Sequence, residues 1–324
     1  MDVQAMNEGR VQKRINYRKR KRMWFFASIV ALPILQFCIC YIYVNINSFL
    51  LAFQHYELPP KGQLGYRISF AGFENFKQAI EVLFGEKVDV IGMFGRSLQL
   101  FFWTTGVGLT LALLFSYYIY KKYPMSGLFR VVLFMPKILS GVVFCLLYKC
   151  IANDVYKYIG ETFFGAEHVL GILDNQETQL AGVLFFSVWV GFGVNVLMFS
   201  GSMSGIDEAI VESAHLDGAN TVQEFWYISI PMIWPTFVSF LTINLAGLFT
   251  DQMHLHTLFG QSASGLETFG YYLFMQSKKS ELVPTGNTPS FSVLAAMGLM
   301  MTAIMLPLTL GARKALRTFG PRVD

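Results

Sequence analysis

Six apolar stretches, each long enough to cross a bilayer, leave a chain like this very few folds. They lie at roughly 24–51, 97–120, 128–150, 180–203, 232–251 and 291–312, and about 20 such residues cross the hydrocarbon core as a helix. In lipid every backbone N–H and C=O must be satisfied within the chain, so only helices and closed barrels can span. Continuous apolar runs of this length, without strict alternation, specify helices. Of 324 residues, 54% are hydrophobic and 14% charged, against roughly 25% charged in a soluble domain. The expected fold class is therefore all-α, a polytopic membrane protein with six transmembrane helices. The first stretch exceeds what a perpendicular crossing needs and predicts a tilt or an interfacial end.

Lys and Arg placement sets the expected orientation. Eight basic residues fall between Arg10 and Arg22, directly before the first span. This predicts a basic cytoplasmic tail over 1–22 and a membrane domain over 23–324. Lys121, Lys122 and Arg130 then lie on the same side, as do Arg313, Lys314, Arg317 and Arg322, so both termini are expected in the cytoplasm. The outer loops would be 54–96, 151–179 and 252–290. Met23 to Phe53 is too long for a cleaved signal, which has a short apolar core and a small-residue cleavage site. No folded polar domain accompanies the basic run, so nucleic-acid binding is not expected.

The four cysteines, Cys38, Cys40, Cys145 and Cys150, lie in or at the edge of apolar spans and have no CxxC spacing. Buried free cysteine behaves as a small hydrophobe, and no metal or redox role is expected of them. His254 and His256 form an H-x-H pair with no third ligand nearby in sequence, and no metal site is expected.

The segment between spans four and five has a different character. From Gly205 to Pro231 there are five acids (Asp207, Glu208, Glu212, Asp217, Glu224) and no Lys or Arg. Ser204 with Asp207 reads as a capping-box variant, Gly218 as a left-handed helix stop, and Thr221 with Glu224 as a second capping box. Pro231 is expected to close that second helix. Two short helices on a cytoplasmic loop follow, with small residues (Ser213, Ala214, Gly218) that allow close approach of another surface.

The spacing within this segment is Glu212-x-Ala214, Gly218 six residues after the glutamate, and Ile228-x-Ile230-Pro231 after nine more residues. It resembles the EAA loop of bacterial ABC importer permeases of the carbohydrate type, whose pattern is EAA, three residues, G, nine residues, I-x-L-P. Ser213 and Ile230 depart mildly from it. The neighbouring LDGA (Leu216 to Ala219) and FWYISIP (Phe225 to Pro231) fit as well. GFENF (Gly72 to Phe76) and the Gly-rich stretch from Phe259 to Phe274 resemble further elements of the same family, and the likeness is strongest from Trp189 to Pro235.

The resemblance implies a type I ABC importer permease fold, with a coupling loop at about 204–231 that docks on a cytoplasmic ATPase. Glu212, Ser213, Ala214, Asp217, Gly218 and Pro231 are the implied coupling residues. The implied partners are a second related permease, two ATPase subunits and an extracellular solute-binding protein, in a lipid membrane. The basic tail before six spans is more like the first permease of such pairs. The sequence contains no G-x-x-x-x-G-K-[ST] stretch, so no phosphate cradle of that kind lies on this chain. No cofactor is expected on this chain, no catalysis either, and ATP with Mg belongs to the partner ATPases.

Ion-coupled carriers hold charges within their spans, whereas here Lys137 stands nearly alone. It reads either as a pathway contact or as a snorkelling or subunit-interface lysine. A neutral solute needs hydrogen-bonding side chains and aromatic faces. The resemblance to sugar-type permeases implies a site on the spans flanking the loop, with Ser187, Trp189, Gly191 and Asn195, then Asn244, Leu248 and Gln252, as substrate-pathway positions and ordinary packing as the alternative for each. Gly191, Gly193 and the Gly201–Gly205 pair also read as helix-packing positions. The different functional class left open is a self-sufficient secondary carrier or channel with a regulatory loop.

Overall fold

The computed structural model describes residues 2–57, 67–85, 88–165, 169–261, 263, 265–280 and 289–321, with side chains from residue 19 onward. Arg322, the side chains of Arg10 to Arg18 and parts of all three outer loops lie outside the described residues. Helix α1 (Asp2–Phe37) continues through a π-type stretch, Cys38–Tyr43, into α2 (Val44–Ala52). The apolar part of this first span stands clear of the rest of the chain, with its side chains exposed. Only its end, at Ala52, is buried, where α2 packs on the last helix.

Beside the helices, the described residues form an antiparallel pair of strands, β1 (Gln54–Glu57) and β2 (Arg67–Phe70), with Gln54 opposite Phe70. Helix α3 (Glu74–Phe84) follows and buries Asn75, Ala79 and Leu83. The Asn75 amide donates to the Ala52 and Gln54 carbonyls, both at 2.9 Å. The GFENF element thus closes the exit of the first span, with Gly72 at φ +54 making the turn.

The second span is Val90–Tyr120, comprising α4 (Val90–Phe101), a π-type stretch over Phe102–Val107 and α5 (Gly108–Tyr120). It begins earlier than hydropathy suggests because Asp89 caps it, accepting from the Gly92 N–H at 3.0 Å. The third span departs from expectation. Helix α6 (Ser126–Ile138) and the helical run from Gly141 to Phe164 meet at 104°. That run contains α7 (Gly141–Lys149), a π-type stretch at Cys150–Val155 and α8 (Tyr156–Phe164). Pro136 withholds a helical N–H in the last turn of α6, and Leu139 and Ser140 are extended at ψ 151 and 131. The apolar stretch 128–150 is therefore a broken span rather than a straight one.

Helix α9 (Gln179–Met203) is unbroken. Two short helices follow, α10 (Glu208–Leu216) and α11 (Thr221–Glu224). A π-type stretch, Phe225–Ser229, joins α11 to α12 (Ile230–Gly247), so Thr221–Gly247 is one continuous helix. Pro231 consequently does not end the second short helix. It sits in the first turn of α12, just past the wider π-type turns. Helices α13 (Leu255–Phe259), α14 (Phe269–Lys279) and α15 (Phe291–Phe319) complete the chain. Among the described residues, five helices are long and apolar enough to cross a membrane, or six if the bent pair counts as one span.

Among the described residues, three larger buried clusters hold these elements together, and a fourth, smaller one joins Phe101, Leu248 and Met305. Of the three larger ones, one joins α5, α9 and the α10–α12 region through Ala112, Phe199, Val211, Phe225 and Ile233. A second joins α7, α9, α13 and α14 through Tyr148, Phe186, Leu258 and Tyr271. The third ties α2, α3, α4 and α14 to α15. Between α6 and α9 the approach is closest at Gly193, where an added Cβ would lie 2.2 Å from the Leu133 carbonyl oxygen.

Candidate functional site

A cavity of about 520 Å³ opens where α5, α9, α12 and the break of the third span meet. Span two contributes Phe101, Thr104, Thr105 and Gly108; α9 contributes Ser187, Gly191 and Asn195; the α12 end contributes Ile243, Asn244, Gly247 and Asp251. Lys137, from the last turn of α6, and His254 also line it. The polar lining is mainly hydroxyl and amide groups, with one cation and one carboxylate. Burial lowers the His254 pKa, Asp251 opposes the shift, and Lys137 adds to it.

Four of the seven substrate-pathway positions therefore meet at this cavity: Ser187, Gly191, Asn195 and Asn244. On α9 these follow the helical repeat of four, which puts Ser187, Gly191 and Asn195 on one face. Trp189 lies off that face, its ring packed edge-on against Phe144 at 4.9 Å and tilted over Phe185 at 5.7 Å. Leu248 is buried with Phe101 and Met305, off the cavity-lining face. Gln252 does not line the cavity either, and its Oε1 is buried with no hydrogen-bond partner among the described residues. Gly191 has open space around it, unlike Gly193, so only Gly193 marks a helix contact. The Gly201–Gly205 pair makes no close approach to another helix of this chain.

Thr104, Thr105, Asp251 and His254 also line the cavity but were not among the expected pathway positions. The adjacent Thr104 and Thr105 within an apolar run were the available signal. His254 and His256 do not converge. The His254 ring packs edge-on against Phe186 at 5.6 Å, while His256 Nε2 lies 2.7 Å from Lys278 Nζ.

The acidic loop begins where α9 ends. Asp207, rather than Ser204, caps α10, its Oδ1 accepting from the Ala209 N–H at 3.0 Å. Ser204 instead bonds back to the Ser200 carbonyl at 2.8 Å. Helix α10 ends on Gly218 at φ +84. The Ala219 N–H reaches the Ala214 carbonyl at 2.9 Å and the Gly218 N–H reaches His215 at 3.1 Å, the paired bonds of a Schellman stop. The next capping box is Asn220 with Gln223, reciprocal at 2.8 Å each way. It sits one residue earlier than the Thr221–Glu224 pair, because Asn220 caps at least as well as Thr221.

Glu224 is thereby freed from capping and turns inward, where it is fully buried. Its Oε2 lies 2.7 Å from Lys121 Nζ and 3.0 Å from His215 Nε2. Helix α10 itself buries only Val211. Glu212, Ser213, Asp217 and Gly218 are exposed, Ala214 is half-buried, and Leu216 is 88% exposed. A helix of nine residues is marginal alone, and this one is held by its caps with most of its surface uncovered.

Residues 104–324 match the family described as binding-protein-dependent transport system inner membrane component. The chain belongs to that family. This inner membrane component is 24% identical over 298 residues to the arabinooligosaccharides transport system permease protein AraP of Bacillus subtilis (strain 168), covering 88% of this chain and 86% of the relative. It is 24% identical to the galactooligosaccharides transport system permease protein GanP of the same organism, covering 84% and 65%. To the sn-glycerol-3-phosphate transport system permease protein UgpA of Salmonella typhi it is 25% identical, covering 60% and 65%. Its fold matches a chain of a bacterial ABC transporter involved in the import of the acidic polysaccharide alginate, with a TM-score of 0.71 at 18% identity over 94% of this chain and 99% of that one. The same transporter in complex with an alginate pentasaccharide-bound periplasmic protein matches equally, with a TM-score of 0.71. The chain is thus a multi-pass permease subunit of an ABC importer.

Proposed function

We propose that this permease forms half of the translocation pathway for a carbohydrate or related hydroxylated solute, and that α10 docks on a cytoplasmic ATPase. The observation that carries the reading is the pairing of two features, one at the middle of α9 and one just past its C-terminal end. One is a cavity lined by hydroxyl and amide groups, and the other is a capped short helix left largely uncovered. On this helix Ile210 and Leu216 stay exposed, and Glu212 offers a charge for a basic partner residue. Interfacial charge pairs set orientation and partner choice more than affinity.

In this reading a second related permease supplies the other half of the pathway. Two ATPase subunits bind ATP with Mg, an extracellular binding protein delivers the solute, and both termini lie in the cytoplasm. The basic segment over 1–22 is a tail, and 23–324 is the permease domain with its coupling loop at about 204–231. Closure of the ATPase pair shifts the spans between two arrangements by rigid-body motion. The carbohydrate class rests on the named relatives together with the amide and hydroxyl lining.

Co-expression tests it. The chain should purify with an ATPase subunit, and the complex in proteoliposomes should take up labelled arabino- or galacto-oligosaccharides only with ATP. Glu212→Lys should lose the ATPase during purification. Uptake of either sugar by this chain alone, without ATP, would sink the proposal in favour of a self-sufficient carrier.

A further inference from the structure

Besides its apolar contacts, one buried carboxylate ties the acidic loop to the body of the permease. Glu224 meets Lys121 at 2.7 Å and His215 at 3.0 Å. His215 belongs to the last turn of α10, and Lys121 directly follows α5. A single acidic side chain thus bridges the proposed docking helix to the end of span two. Around it, the Tyr117 hydroxyl donates to the Thr221 carbonyl at 3.1 Å and its ring packs on Phe225 at 4.9 Å. His215 Nδ1 faces the Ala219 carbonyl at 3.3 Å.

Resting on the coupling role of α10, we propose that the Lys121–Glu224–His215 clamp is the positioning device that passes movement of α10 to the cavity. The path is continuous. From Lys121, span two runs back to Thr104 and Thr105 on the cavity wall, about 24 Å of helix at 1.5 Å per residue. Along that length α5 is locked to α9, with the Ser116 hydroxyl on the Val196 carbonyl at 3.0 Å. A displacement of α10 therefore tilts α5 and α9 together and reshapes the cavity they share. Ion pairing suits this task. A buried pair is often replaceable by apolar side chains without loss of stability, while it fixes one geometry among several. Without the clamp, α10 keeps its caps but is held to the body by Val211 and its neighbours alone, and is free to move without pulling on span two.

The test uses the assembled importer and a readout that needs no solute. With the native cysteines replaced by serine, Thr104→Cys reports cavity access through its rate of maleimide labelling, with and without ATP, Mg and vanadate. With Glu224 intact, the nucleotide should change that rate by roughly tenfold, the scale of typical coupling energies. In Glu224→Gln the change should disappear while the ATPase stays bound and hydrolyses ATP. The exchanged pair Lys121→Glu/Glu224→Lys should restore it. The apolar pair Lys121→Met/Glu224→Met, matched for packing, should not. A nucleotide response in Glu224→Gln within twofold of the parent, or full recovery in the apolar pair, overturns the clamp. If Glu224→Gln loses the ATPase, recovery by the exchanged pair supports the clamp and failure to recover overturns it. No co-purifying ATPase, or no nucleotide response with Glu224 intact, would instead remove the coupling reading itself.

Discussion

Gly218 makes its demand on residue type through backbone conformation. Its φ of +84 lies in the region that side chains with a Cβ enter at a cost of about 1–2 kcal/mol. Space does not limit it, since no heavy atom lies within 4 Å of an added Cβ. The cost of substitution is therefore one of backbone conformation, and residue types should rank accordingly. Gly218→Val should melt the Schellman stop and abolish ATP-driven uptake, whereas Gly218→Asn should keep most of it. Uptake in proteoliposomes normalised to inserted protein checks the order, and equal activity in the two variants would refute it. This residue was legible in the sequence because the conformation it supplies has few alternative suppliers. Trp189 was not legible in the same way. An aromatic ring on an apolar helix packs or binds according to which neighbours the fold provides, and here Phe144 and Phe185 provide the packing.

Elements came out of the sequence to different depths. The unbroken α9 and α15 follow from length and hydropathy alone. The break between α6 and α7 does not, because the residues on both sides of Leu139 and Ser140 are as apolar as those of a straight span. Only Pro136 hinted at it. The caps of α10 and α11 were displaced from the expected residues because Ser204, Asp207, Asn220 and Thr221 are all competent caps, and tertiary packing chose among them. Contacts between elements separate two glycines that look alike in sequence. An alanine at Gly193 would place its Cβ 2.2 Å from the Leu133 carbonyl oxygen, whereas at Gly191 it meets nothing within 4 Å. Gly193→Ala should therefore push α6 off α9 and destabilise by about 1–3 kcal/mol, as overpacking does, while Gly191→Ala should stay within about 0.5 kcal/mol. Thermal unfolding in detergent separates the two, and similar midpoints would contradict the contact.

At the level of the whole molecule, the sequence held the number of spans and the acidic loop, and the family resemblance held the fold. It did not hold the cavity, because that space is shared by residues more than 100 positions apart, such as Thr104 and Asn244, with Lys137 brought in by the break. The same break also governs how the chain is made. Helix α6 has 13 residues and rises about 20 Å, well short of the ~30 Å hydrocarbon core. It reaches its final pose by leaning on α9 at Gly193, a helix synthesised some 50 residues later. The third span must therefore wait in the insertion machinery, or cross first as a straight rod and fold over afterwards. A released truncation ending at residue 178, before α9, should accordingly expose a cysteine at Ser140 to water differently from a chain that includes α9. Identical labelling of the two would mean that the bend is set locally, before its neighbour exists.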